Sequence, residues 1–184
     1  MKFTETGIKD LLVFEPSVFP DDRGYFYEGF KSNVFADKGF DPSFIQDNIA
    51  KSKKGVIRGM HLQKEPYAQT KIIRCLTGTI LDIAVDMRKD SPTYKQWYGI
   101  ELTGDNNKQL FVPRGFAHGF LVLSDSATFA YKVDNTYAPD HDAGIRWNDK
   151  ELNIKWGMED SVVVVSEKDA ELPFFSKFKS PFTL

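Results

Sequence analysis

The residues best suited to catalysis in this 184-residue chain lie in the segment GVIRGMHLQKEPYAQTK, from Gly55 to Lys71. His61 follows Arg58 by three residues and precedes Lys71 by ten. A neutral imidazole can take a proton from a weakly acidic carbon near pH 7. Two cations nearby suit an anionic substrate and a developing enolate. The alternative is a core histidine satisfied by hydrogen bonds, with two surface cations beside it.

The elements that would position this histidine are predominantly strands. Apolar and polar residues alternate around His61, which predicts a strand with one face in a core and the other in a cavity. Many short strands follow, separated by turns rich in Gly, Asp, Asn and Pro, and this spacing predicts a β-sandwich or small barrel. Helices are expected only at 32–39, capped by Ser32 or Asn33, and at 169–178, and residues 51–54 are expected to form a solvated basic turn.

Composition restricts the class of protein further. The formal net charge of −2 argues against a general nucleic-acid binder. The single cysteine, Cys75, excludes an internal disulfide, fits a reducing compartment and is expected to fill core space. No apolar run reaches the length of a membrane span, and the N-terminus lacks the apolar centre of a signal peptide. We expect one domain over residues 1–184, in a cytoplasmic enzyme or binding protein.

The segment PRGFAH, from Pro113 to His118, indicates the architecture. Its Pro-x-Gly-x-x-His pattern resembles the second motif of the cupin superfamily, which implies an all-β jelly roll, the double-stranded β-helix, with a few short helices. Many cupins bind a metal through His-x-His, but here the first element is His61-Leu62-Gln63. That leaves His61, His118 and Glu65 as donors, so we expect no metal.

Within the cupins, the chain resembles the dTDP-4-dehydrorhamnose 3,5-epimerase family. The matching segments, in the family's order, are DDRGYFYEGF (21–30), FIQDN (44–48), GVIRGMHLQ (55–63), KIIRCLTGTILDIAVDMRKDSPTY (71–94), QLFVPRGFAHGF (109–120), YKVDNTYAPDHDAGIRWND (131–149) and SEKD (166–169). They span most of the chain. The resemblance implies epimerisation at C3 and C5 of dTDP-4-dehydro-6-deoxy-D-glucose through enolates, without a cofactor, in dTDP-L-rhamnose biosynthesis.

The resemblance also implies a role for each catalytic residue. His61 is the base and Asp169 orients it, although a helix-capping role is the alternative for Asp169. Tyr131 donates a proton on the opposite face of the sugar, unless it is an ordinary core tyrosine. Lys71 faces the 4-keto oxygen, unless it is a strand-edge lysine whose ammonium reaches out to water.

The substrate would be held by a larger set of residues, again by resemblance. These are Arg23, Phe26, Glu28, Gln46, Asn48, Arg58, His118, Tyr137, Asp142 and Lys168. Arginine suits diphosphate oxygens, and Tyr137 is the candidate for stacking on thymine, or else a surface-packed ring. In the family the N-terminal segment crosses to a second subunit, so Arg23 and Glu28 would serve the neighbour's site in a homodimer.

Other functions remain open from the sequence. Close relatives epimerise only C3 or only C5, and keeping His61, Tyr131 and Asp169 together favours the double epimerase. A non-catalytic jelly roll that binds sugar nucleotides would need no His–Asp pair. A metal-dependent cupin oxygenase or isomerase is disfavoured by the missing His-x-His. Neither nucleic acid nor a membrane is expected as a partner.

Overall fold

Alternating apolar and polar side chains make most of this chain extended. The computed structural model describes residues 1–40 and 43–184. Over these ranges the strands are β1 (Lys2–Glu5), β2 (Leu12–Glu15), β3 (Val18–Asp21), β4 (Gly24–Tyr27), β5 (Gln46–Lys53), β6 (Ile57–Gln63), β7 (Lys71–Thr77), β8 (Thr79–Asp86), β9 (Trp97–Thr103), β10 (Gln109–Val112), β11 (Phe116–Val122), β12 (Ser126–Val133) and β13 (Asp142–Gly144). The α-helices are α1 (Ser32–Ala36) and α2 (Glu167–Ala170), and 3-10 turns cover Pro139–His141, Asp160–Val162 and Phe175–Lys177.

Two antiparallel sheets face each other. The first has the strand order β1-β2-β10-β7-β12-β5, and the second has the order β13-β6-β11-β8-β9. Neighbouring strands are mostly distant along the chain, as in a jelly roll. The predicted all-β jelly roll with a few short helices is confirmed. Among the described residues, no helix combines the length and apolarity needed to cross a membrane.

The space between the sheets is filled by alternate residues of each strand. Ile73 of the first sheet and Ile80 and Ala84 of the second belong to one fully buried cluster. Phe120 and Phe129 meet within this cluster with ring centroids 4.2 Å apart. Toward one end the inward positions become polar, and the apolar filling gives way to a cleft. The sheets are therefore held together by the same strand faces that present the polar side chains.

The outer face of the second sheet is covered by the C-terminal part of the chain. Ile83 and Leu121 point to this side and pack in a second core with Trp147, Trp156 and Phe175. The segment after β13 thus buries the sheet face that the first sheet does not reach. It also brings α2 to the edge of the cleft, where α2 contacts β6.

The strands β3 and β4 form a hairpin that is separate from both large sheets. Phe19, Tyr25 and Phe26 on this hairpin are 58%, 62% and 66% exposed. Large aromatic side chains on a two-stranded ribbon are left uncovered by the described residues of this chain. Such contiguous apolar surface is typical of an interaction site.

Three local expectations were wrong. Residues 51–53 continue strand β5, because they pair with β12 at Ala127 and its neighbours, and only Lys54 lies in the turn. Helix α1 is capped at Lys31 without a side-chain hydrogen bond, so neither Ser32 nor Asn33 caps it. The expected helix at 169–178 is instead α2, which begins earlier and ends at Ala170, followed by a short 3-10 turn. Pro173 lies between the two and cannot continue a helix.

Candidate active site

The cleft between the sheets consists of two adjoining cavities of about 550 and 320 Å³. Four side chains line both cavities, and these mark their junction: His61, Lys71, Tyr131 and Lys168. His61 belongs to the second sheet, whereas Lys71 and Tyr131 belong to the first. An imidazole and a phenol are therefore presented to the same space from opposite walls.

A bulge in β6 sets the direction of two of these side chains. Arg58 and His61 are three residues apart, so a regular strand would point them to opposite faces. On the neighbouring strand β11, however, their partners Phe120 and His118 are only two residues apart. The extra residue of β6 turns both side chains into the larger cavity. Gly59 occupies this place with a φ of +128°, and a Cβ there would come within 2.5 Å of the Gly119 Cα atom.

Asp169 holds both the bulge and the histidine. Its Oδ1 lies 2.8 Å from His61 Nε2, and its Oδ2 accepts the Gly59 N–H at 3.1 Å. A carboxylate only accepts hydrogen bonds, so Nε2 carries the proton and Nδ1 keeps its lone pair. Burial raises the pKa of Asp169, but the hydrogen bond and charge of His61, with the Gly59 and Ser166 contacts, outweigh it and lower the pKa overall. Asp169 is thus an anion that fixes the imidazole's tautomer.

The position of Asp169 in α2 resolves its alternative role. The helix is capped by Ser166, whose hydroxyl accepts the Asp169 N–H at 3.1 Å. Asp169 is the third helical residue and is only 3% exposed, with its carboxylate turned to β6. The SEKD segment therefore supplies a cap with its serine and a buried histidine partner with its aspartate.

Tyr131 lies on β12, directly opposite Asn48 of β5. Its side chain alternates with outward residues and faces the cleft beside Phe129. Burial raises the pKa of Tyr131, and the positive charge of Arg58 opposes this rise. The phenol therefore keeps its proton at neutral pH, which a proton donor requires.

Lys71 begins β7 and lines both cavities. Burial lowers the pKa of Lys71 overall, although the charges of Asp142 and, to a smaller extent, Asp82 act in the opposite direction. No hydrogen bond or ion pair to another described residue occupies the ammonium. It remains available to a negatively charged atom bound in the cleft.

A second histidine–carboxylate pair lies beside the first. His118 is the cross-strand partner of His61, and its Nε2 is 2.8 Å from Asp82 Oδ1. Asp82 is completely buried, and its Oδ2 has no hydrogen-bond partner among the described residues. Buried carboxylate oxygens are normally satisfied, so this one calls for an explanation.

The smaller cavity carries polar groups suited to a nucleotide or sugar. Its distinctive side chains are Gln46, Asn48, Tyr137 and Asp142. Tyr137 is 57% exposed, so its ring face is open, and its hydroxyl donates weakly to Asp142 at 3.4 Å. Lys168 forms an ion pair with the same carboxylate. This hydrogen bond with Asp142 raises the pKa of Lys168.

Arg58 in the larger cavity is held by a residue that the sequence reading did not single out. Its Nε donates to Ser52 Oγ at 3.1 Å, and Ser52 is 7% exposed. Ser52 follows Asn48 and Ala50 at every second position of β5, so strand alternation alone would have found it. By contrast, Val164 and Val165 line the cavity from an irregular segment, which has no sequence periodicity.

Three predicted substrate-binding residues lie away from the cleft of this chain. Arg23 pairs with Asp21 at 2.6 Å, and Glu28 pairs with Lys31 at 3.0 Å. Phe26 is exposed on β4, and none of the three lines either cavity. The hairpin is thus free to meet another molecule.

The position that holds a second metal ligand in many cupins has a structural role here. The Gln63 amide donates to the carbonyls of Tyr67 and Thr136 at 2.7 and 3.0 Å, and accepts the Ala138 N–H at 2.7 Å. Glu65 is exposed on the following turn. Within residues 1–40 and 43–184, no three His, Cys, Asp or Glu side chains gather in a way that would hold a metal ion.

Comparison with known proteins gives a consistent result. Residues 5–177 match the family model described as dTDP-4-dehydrorhamnose 3,5-epimerase. The chain is 49% identical over 170 residues to a Shigella flexneri protein of that name, covering 92% of this chain and 93% of the relative.

Solved structures agree in fold. A dTDP-4-dehydrorhamnose 3,5-epimerase from Elizabethkingia anophelis has a TM-score of 0.93 at 46% identity, covering 96% and 97% of the two chains. A dTDP-6-deoxy-D-glucose-3,5-epimerase from Legionella pneumophila in complex with dTDP-4-keto-L-rhamnose has a TM-score of 0.92 at 40% identity, covering 97% and 94%.

Proposed function

This chain belongs to the dTDP-4-dehydrorhamnose 3,5-epimerase family, and from that premise we propose the reaction of its cleft. The enzyme, an isomerase, inverts C3 and C5 of dTDP-4-dehydro-6-deoxy-D-glucose to form dTDP-4-dehydro-L-rhamnose for dTDP-L-rhamnose biosynthesis. It needs no cofactor, because both inversions are proton transfers next to a ketone. The observation that carries the proposal is that His61 and Tyr131 line the same two cavities from opposite sheets, and that Lys71 lines both cavities as well.

Each inversion follows from these three groups. His61 Nδ1 takes the proton from the carbon beside the ketone, and the electrons of that C–H bond move to the 4-keto oxygen. The ammonium of Lys71 stabilises the resulting enolate more than the ketone, which carries less charge on oxygen. The phenol of Tyr131 then gives its proton to the other face of the same carbon. The electrons return to form the new C–H bond and the ketone. Solvent then takes the extra proton from His61 and returns a proton to the Tyr131 phenolate.

The remaining cleft residues hold the substrate. Arg58 meets the diphosphate with forked, charge-assisted hydrogen bonds, and Ser52 directs its guanidinium. Tyr137 stacks on thymine through its exposed ring, while Gln46 and Asn48 bind polar atoms of the nucleoside. On the sugar side, the substrate meets His118, Asp142 and Lys168.

The protein works as a cytoplasmic homodimer of one-domain subunits that exchange their N-terminal strands. The support is the exposed aromatic surface of the β3–β4 hairpin and the distance of its polar residues from their own cleft. Arg23, Phe26 and Glu28 then complete the binding site of the neighbouring subunit.

A mixing experiment tests this exchange. Arg23→Ala and His61→Asn homodimers should each be weak or inactive. Unfolded and refolded together, they should form hybrids in which one site contains both an intact His61 and an intact partner arginine. Activity above the sum of the two variants supports the exchange, and simple additivity contradicts it. Light scattering of the wild type provides the control for the dimer.

The reaction itself is tested by isotope exchange. The purified protein is mixed with dTDP-4-dehydro-6-deoxyglucose in deuterium oxide without added cofactor. Deuterium should appear at both C3 and C5, as followed by NMR and mass spectrometry. Absence of exchange at both carbons would rule out the proposal, and exchange at one carbon would identify a single epimerase.

A further inference from the structure

The pair formed by Asp82 and His118 has a feature that the proposed proton transfers do not use. Asp82 Oδ1 is bonded to His118, whereas Oδ2 is fully buried and has no partner among the described residues. An unmatched oxygen of a buried carboxylate costs free energy, and native structures normally avoid it. Its presence between the two sheets points to a neighbouring cation that acts on it through space.

The strand faces indicate which group that partner is. Asp82 alternates with Ile80 and Ala84, so it points into the space between the sheets. On the facing sheet, Lys71 alternates with Ile73 in the same way and points into that space. The ammonium has no hydrogen-bonded partner among the described residues, and the charge of Asp82 acts on it.

Two anions oppose the effect of burial on Lys71: Asp142, whose effect is the larger, and Asp82. Several other titratable or charged side chains lie on the elements around Lys71. These are Arg58 and His61 on β6, Cys75 on β7, Asp82 on β8, His118 on β11, Tyr131 on β12, Asp142 on β13, Lys168 and Asp169 on α2 and, just before β7 begins, Asp134 with Arg114. Asp142 shares its charge with Lys168, to which it is ion-paired, whereas Asp82 has no lysine or arginine partner among the described residues. Asp134 is likewise paired with Arg114.

We propose that Asp82, anchored by His118, is the positioning residue that keeps the Lys71 ammonium charged and in place within the cleft. The Nε2 of His118 lies 2.8 Å from Asp82 Oδ1, so this hydrogen bond orients the carboxylate, while Oδ2 has no partner among the described residues. The assignment rests on the proposed function, in which a neutral amine at Lys71 would lose its advantage at the enolate oxygen. Asp82 itself touches no substrate atom and acts through Lys71.

The consequence concerns pH. Burial favours the neutral amine of Lys71, and a nearby anion favours the ammonium. Removing the anion therefore lowers the pKa of Lys71. Deuterium exchange into the substrate requires the charged form of Lys71. The exchange rate should therefore fall as the pH rises through the pKa of Lys71. In Asp82→Asn this alkaline fall should begin at lower pH than in the wild type.

A measurement without substrate tests the inference directly. The full-length protein is labelled with trace acetic anhydride across a pH series, and acetylation of the Lys71 peptide is read by mass spectrometry. Only the neutral amine reacts, so the midpoint reports the pKa of Lys71. Asp82→Asn should lower this midpoint by about one pH unit or more. A midpoint equal to that of the wild type would overturn the inference.

Two further variants separate charge from packing. Asp149→Asn also alters a buried carboxylate, one that accepts the N–H groups of Leu152 and Phe175, but its charge does not act on Lys71. It should leave the midpoint unchanged. His118→Asn retains the Asp82 charge, so its midpoint should fall less than that of Asp82→Asn; an equal fall would contradict the inference.

The design also covers misfolding and failure of the proposed reaction. If Asp82→Asn does not fold, as judged by circular dichroism, Asp82→Ser removes the same charge and carries the same expectation. The labelling needs no turnover, so it yields a result even if neither C3 nor C5 exchanges. Absence of exchange in the wild type would count against the proposed function, whereas an unmoved midpoint would count against the role of Asp82.

Discussion

Two histidine–carboxylate pairs stand side by side in the cleft, and they differ in surroundings rather than in composition. In each pair an imidazole Nε2 lies 2.8 Å from a carboxylate oxygen, and the two histidines are cross-strand partners. The His61 side chain is 31% exposed, and both oxygens of its partner Asp169 are hydrogen bonded. The His118 side chain is 11% exposed, and one buried oxygen of its partner Asp82 has no hydrogen bond to any described residue.

This contrast shows how environment divides roles between identical side chains. A satisfied carboxylate that orients an accessible imidazole makes a base, since its charge is directed at the ring. A carboxylate oxygen without a hydrogen-bond partner can instead act through its charge on a neighbouring cation, here Lys71. The expected effects of substitution should therefore differ in kind between the two pairs as well as in size.

The largest expected effect is that of His61→Asn. Among the described residues it removes the one cleft imidazole whose carboxylate partner has both oxygens hydrogen bonded, so exchange at both C3 and C5 should fall by about 10⁴-fold. His118→Asn is the matched control, because it changes the same residue type on the neighbouring strand. It should retain measurable exchange at both carbons. An equal loss of exchange in His61→Asn and His118→Asn would contradict the proposal that the two histidines have different roles.

Asp169→Asn should be the next most damaging change, with an exchange rate about 10³-fold lower. An amide presents one acceptor and one donor, so it cannot accept from both Gly59 and His61. Either the Gly59 N–H loses its partner, or the imidazole is driven into the other tautomer. Rates measured across a pH series should be lower at every pH. A variant affected only at alkaline pH would instead resemble the expectation for Asp82→Asn.

Tyr131→Phe should separate the two halves of each inversion. His61 still removes and returns protons on its own face, so deuterium should enter the substrate. Delivery to the other face loses its donor, and formation of inverted product should fall by about 100-fold. Exchange and product are quantified together by NMR. Unchanged inversion in this variant would remove Tyr131 from the donor role.

The smallest expected effect is that of Ser52→Ala. The Arg58 Nε would lose one hydrogen bond, worth about 1 kcal/mol, so KM should rise about fivefold while kcat stays the same. Val163→Ala, on the far side of the irregular segment, is a control that leaves the Arg58 contact intact. A fall in kcat without a change in KM would contradict a role for Ser52 in substrate binding.

Much of this site was predictable because strand alternation carries information about side-chain direction. Gln46 and Asn48 were expected on one face of a strand, and both line the smaller cavity. Ser52 belongs to the same series and could have been added on that basis. The resemblance to the family also drew attention to Tyr131 and Asp169, which the residues alone left as a core tyrosine and a helix cap.

The rest depended on tertiary contacts. The three-residue spacing of Arg58 and His61 does not fit one face of a regular strand, and only pairing with β11 reveals the bulge that reconciles it. The sequence likewise could not show that Asp82 Oδ2 lacks a hydrogen-bond donor among the described residues, because this depends on which side chains the fold brings close to it.

The central claim is geometric, and a crystal structure with a bound dTDP-4-keto-sugar tests it most directly. We predict that His61 Nδ1 and Tyr131 Oη will lie on opposite faces of the sugar ring, each within reach of C3 or C5, with Lys71 Nζ at the keto oxygen. A ring with both side chains on one face, or a sugar bound away from Lys71, would contradict the account.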